Sequence, residues 1–104
     1  MNPIRPLGPA VRAEVTADLN GLPHARITEQ GSEARVFTAG LGELTDWFLA
    51  LGGRITCQPA PHDSGVCLWT LHTHTERTHG TPIRVHALAL DTDQIDPDCA
   101  DAVA

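Results

Sequence analysis

Five histidines fall between positions 62 and 86, namely His62, His72, His74, His79 and His86, with Cys57 and Cys67 close by. Imidazole and thiolate are the borderline-soft donors that hold zinc, so metal binding is the first chemistry to weigh. His72 and His74 stand two apart among Thr70, Thr73 and Thr75, in a stretch that reads as a strand. Alternate strand residues share a face, which sets two imidazoles side by side. His86 becomes a third ligand if the following hairpin has an odd-length loop; an even loop turns it to the opposite face. His72, His74 and His86 are therefore the candidate zinc ligands, for a structural site or a small metal-dependent hydrolase. Cys57, His62 and Cys67 recur at five-residue steps, unlike a zinc knuckle, and no Cys-x-x-Cys occurs. Without a metal, the same histidines are solvent-side residues on a threonine-rich strand.

Other chemistries find less. Ser64 sits beside His62 and Asp63 in a turn-rich loop, but neighbours on a loop rarely converge as a triad, and no nucleophile elbow is present. Gly40-Leu41-Gly42 opens a helix without the further glycine or the lysine of a phosphate loop. Asp91, Asp93 and Asp96 lack the central glycine and closing glutamate of a calcium loop. Cys57 and Cys67 read as small buried filler, and Cys99 as an exposed tail thiol. Trp47 and Trp69 belong to the core, or else line a small-ligand pocket between helix and sheet.

The element that must position these groups runs from Thr38 to Gly53. At helical spacing, Leu41, Leu44, Trp47, Phe48 and Leu51 form one apolar arc, with Glu43, Asp46 and Ala50 opposite. Thr38 is the expected N-cap and Gly52-Gly53 the stop. Before it, Val11, Ala13, Val15, Ala17 and Leu19 alternate with polar residues and predict a half-buried strand. Asn20-Gly21 reads as a turn, His24–Thr28 as a second strand and Ala34–Phe37 as a brief extended piece. Arg54–Gln58, Val66–Glu76 and Pro82–Leu90 complete a set of five strands. The expected fold is α+β, a five-stranded mostly antiparallel sheet with one helix on one face, in the order β-β-α-β-β-β. Residues 1–9 read as a flexible arm, 10–90 as one domain, and 91–104 as a solvated acidic tail with at most a frayed turn.

The 104 residues carry a net charge of −6, and the seven basic residues are all arginine. No cluster of basic residues appears along the chain, which argues against nucleic acid and anionic membrane as partners. No apolar run is long enough to span a bilayer, and three cysteines without a signal peptide suggest a reduced, cytoplasmic protein. An arginine-only, Ala/Gly/Pro-rich composition hints at a bacterial source with a GC-rich genome. Apolar residues on both faces of the central strands call for a cover on the side away from the helix. Leu49, Leu68, Leu88 and Leu90 are the candidate contact residues, and a homodimer the expected arrangement. The function that follows is a non-enzymatic accessory or regulatory protein acting through self-association and contacts with another protein.

Overall fold

A computed structural model describes residues 8–59, 65–90 and 93–103. The expected α+β class holds, and the sheet has five strands. The elements are α1 (Pro9–Asn20), β1 (Arg26–Gln30), β2 (Glu33–Phe37), α2 (Leu41–Leu51), β3 (Arg54–Pro59), β4 (Val66–His72) and β5 (Ile83–Leu90). Strand order is β1-β2-β5-β4-β3. Three of the four pairings are antiparallel, and β2 with β5 is parallel, so the sheet is mixed. The parallel pairing arises because β5 inserts between the two hairpins, β1-β2 and β3-β4.

Two helices pack on the sheet rather than one. The segment expected to be the first strand is α1. Its alternation is equally a four-residue repeat, and Ala13 and Ala17 fall one turn apart on a buried stripe. Val11, Val15 and Leu19 form a second stripe that faces solvent, with Leu19 79% exposed. Alanine is the strongest helix former, and Pro9 at the first helical position suits its fixed φ. Asn20-Gly21 is then no hairpin turn: Gly21, at φ 62° and ψ 37°, is the left-handed C-cap. The strand count is restored by β2, which takes up the extended piece before the second helix.

The second helix forms where its apolar arc predicts, with Leu44, Trp47 and Leu51 buried and Leu41 and Phe48 packed alongside. Thr38 does not cap it. Its hydroxyl donates to the His86 carbonyl at 3.0 Å, while Glu43 Oε1 reaches back to accept from the Ala39 N–H at 3.1 Å. Gly53, at φ 129°, lies so close to the His72 carbonyl that any side chain would collide with it. That contact locks the start of β3 against the end of β4.

One core lies between the helices and a single face of the sheet. Ala13, Ala17, Leu44, Trp47 and Leu51 meet Ala34, Val36, Ile55, Leu71, Ile83 and Val85. The chain end joins it, which corrects the expectation of a frayed tail with an exposed thiol. Asp96 caps a short 3-10 turn over Pro97–Ala102 by accepting from the Asp98 N–H at 2.8 Å. Cys99 is fully buried there, and Val103 bridges to Ile55 on the outer edge of β3. Five aspartates hid this docking: Ile95, Cys99 and Val103 recur at four-residue steps, but the acids interleaved with them read as a solvated tail.

Candidate functional site

The face of the sheet away from the helices has no layer over it among the described residues. Strand register sets its side chains in rows. One row reads Thr28, Arg35, Arg84, His72, Arg54, and the next Arg26, Phe37, His86, Thr70, Thr56. Beyond them Leu88 faces Leu68, and Leu90 faces Val66. Four of the seven arginines therefore lie on this face, against one acid, Glu33. Glu33 pairs with Arg84 at 2.6 Å and with Arg35 at 3.5 Å. The Arg26 guanidinium covers the Phe37 ring at 4.8 Å, and Phe37 in turn lies 5.3 Å from the His86 ring. The basic cluster missing from the linear sequence is assembled by alternate residues on four strands.

The face is graded from charged to aliphatic. Leu88 and Leu90 are more than half exposed, and Leu68 and Val66 are half-buried. Phe37, Thr38, Ala39, Leu68, His86 and Leu88 line a notch of about 360 Å³. Leu49 is elsewhere: it projects from α2 near Gln94 and Asp96, on the helical layer. Three of the four leucines expected at a contact thus share one corner, and the fourth does not.

The parity of the loop between β4 and β5 brings His72 and His86 to the same face as diagonal neighbours. His74 does not join them, because β4 ends at His72 and the His74 ring rests against Gly52 beside the end of α2. Among the described residues no three histidine, cysteine or acidic side chains converge as a metal site. His62 lies outside the described residues. Burial lowers the pKa of His86, and Arg35 and Arg84 lower it further; burial lowers that of His72, helped by Arg84 and Arg54. Both rings are thereby held neutral, as a metal ligand requires, but the same guanidiniums oppose a cation.

His86 Nδ1 lies 3.0 Å from the Thr70 hydroxyl. If the hydroxyl donates to Nδ1, its own proton is satisfied and Nε2 carries the ring hydrogen. Nε2 is buried and has no hydrogen-bond partner among the described residues; Arg35 Nε makes no hydrogen bond either, though it is ion-paired with Glu33. Among the described residues no carboxylate orients the imidazole, and Thr70 is itself buried, so the pair lacks the third member and the exposure of a nucleophilic triad. His72 Nε2 similarly lies 3.3 Å from the Thr56 hydroxyl. Ser64 and Asp63 fall outside the described residues.

The tryptophans are split between roles. Trp47 is fully buried, and its indole N–H donates to the Pro23 carbonyl at 2.7 Å. Trp69 is half-buried against the core with its indole N–H unpartnered. No described helix is long and apolar enough to cross a membrane. No family model and no curated protein matches the chain.

Proposed function

We propose that this is a small cytoplasmic accessory or regulatory protein that works without catalysis, through self-association and a second, acidic protein partner. The observation that carries this reading is the division of the open sheet face into an aliphatic corner and a row of arginines. Exposed leucines on an uncovered sheet favour burial, at about 25 cal/mol per Å² of apolar surface. A two-fold axis running across the strands through Leu68 and Leu88 sets each corner against the other. It also carries the two arginine rows to opposite ends, so like charges stay apart. The rows then remain open to an acidic surface.

Sedimentation velocity at tens of micromolar tests the self-association. The expected mass is twice 11.1 kDa, falling to one chain in Leu88→Arg with an unchanged far-ultraviolet spectrum. A wild-type protein that sediments as a single chain removes the proposal. The rival reading is a zinc site on His72 and His86, favoured by their shared face and their neutral rings. Protein purified without a histidine tag and holding less than about a tenth of an equivalent of zinc removes that rival.

A further inference from the structure

Cys57 and Cys67 come together across the β3–β4 hairpin. Cys57 pairs with Trp69 and Cys67 with Pro59, so the two cysteines are diagonal neighbours on the same face. Both are free, Cys57 exposed and Cys67 half-buried. Burial raises the Cys57 pKa, and the neighbouring Cys67 thiol raises it further. Cys99, the third thiol, is buried beneath the 3-10 turn and touches the Thr45 hydroxyl. Neither Cys57 nor Cys67 belongs to the open face, since both lie on the helix-bearing side with Ile55 and Leu71.

We propose that Cys57 and Cys67 form a reversible dithiol–disulfide couple whose electron acceptor is a low-molecular-weight disulfide of the glutathione type. Exposed Cys57 attacks first, through its thiolate; because its pKa is raised, this step quickens as the pH rises. It bonds to one sulfur of the small disulfide, the S–S bond breaks, and one small thiolate leaves. The Cys67 thiolate then attacks the Cys57 sulfur, closes the intramolecular disulfide and expels the second small thiolate. The two protein thiol protons end on the two released thiolates. The protein dithiol is oxidised by two electrons and the small disulfide is reduced to two thiols.

Diagonal neighbours on a hairpin have Cα atoms about 7–8 Å apart, slightly beyond the usual disulfide span. Closure therefore needs a small slide of β3. As an edge strand with β4 as its only full-strand neighbour, β3 is where such a slide meets least resistance. The slide also leaves the bond readily reduced, as strained and exposed disulfides are. Oxidation closes a ring over residues 57–67 and ties the outer strand to its neighbour.

The test equilibrates reduced protein, without oxygen, in glutathione and glutathione-disulfide mixtures, followed by acid quenching, alkylation, intact mass and peptide mapping. The expected product is a single chain short of two hydrogens, with a Cys57–Cys67 cross-link, alkylated Cys99 and full reversal by dithiothreitol. Its melting temperature rises by no more than about 5 °C, because the strain that eases reduction also offsets the gain from ring closure. Cys67→Ser accumulates with one glutathione on Cys57, and Cys99→Ser behaves like the wild type. Wild-type protein that stops at the glutathione adduct, or that yields only disulfide-linked dimers, overturns the proposal. So does protein that stays fully reduced at every ratio. Self-association through the open face is read by sedimentation in the reduced state, so the two proposals succeed or fail separately.

Discussion

Trp47 shows how much one side chain can decide in a chain with four aromatic rings. It fills the space between α2 and the sheet and also satisfies the Pro23 carbonyl in the segment between α1 and β1. Trp47→Ala is expected to cost about 3–5 kcal/mol by urea unfolding, because little can collapse into the space left. Trp47→Phe keeps most of the packing and leaves the carbonyl without its donor, for a loss of about 1–3 kcal/mol. The histidines of the open face act through protonation. Burial and neighbouring arginines hold the folded pKa of His86 and His72 below the ordinary value of 6.5. The unfolded chain then binds protons that the folded one refuses, so stability is whole above the unfolded pKa and falls as the pH drops below it. The urea midpoint should decrease from pH 7.5 to pH 5, and decrease less in His86→Gln. An equal slope in that variant places the effect on other groups.

At the scale of the element, α1 and the terminal 3-10 turn make opposite demands on apolar residues. Val11, Val15 and Leu19 face water, so Val15→Lys and Leu19→Gln should each change stability by less than about 0.5 kcal/mol. Ala17→Asp, two residues from Val15, buries a charge and should unfold much of the protein at room temperature. A strand would have grouped positions 15, 17 and 19 on one face and given them a common cost. Removal of the residues after Gln94 strips Ile95, Cys99 and Val103 from the core and the outer edge of β3. The expected loss is about 2–4 kcal/mol, read as a lower melting temperature.

For the whole molecule, the distribution of charge matters more than its sum. The net −6 hides an open face where four arginines meet one glutamate, while the other described acids lie elsewhere. If the two-fold axis runs across the strands through the leucine corner, the arginine rows lie well beyond a Debye length of about 10 Å. The dissociation constant of the dimer should then change by less than about threefold between low and high salt, measured by sedimentation equilibrium. A dimer that tightens steeply with salt would instead set the arginine rows against each other.

The last three strands as segments, the second helix and the glycine stop after it were legible in the sequence, because each rests on patterns close along the chain. Leu44, Trp47 and Leu51 recur at the helical period whatever lies opposite them. The alternation from Val11 to Leu19 satisfied both a strand and a helix, and only the packing of Ala13 and Ala17 on the sheet chose between them. The candidate site was legible in part. The sequence left His86 on either face, according to the parity of the loop, and the β4–β5 register decided that it shares one with His72; that β4 ends at His72, which removes His74, was not legible. The arginine row and the meeting of Cys57 with Cys67 come from the pairing of strands distant in sequence or from hairpin register. Local residue types determined which segments could hide their apolar sides. The tertiary structure alone decided which side chains became neighbours, because register and strand order are properties of pairs and a single segment carries neither.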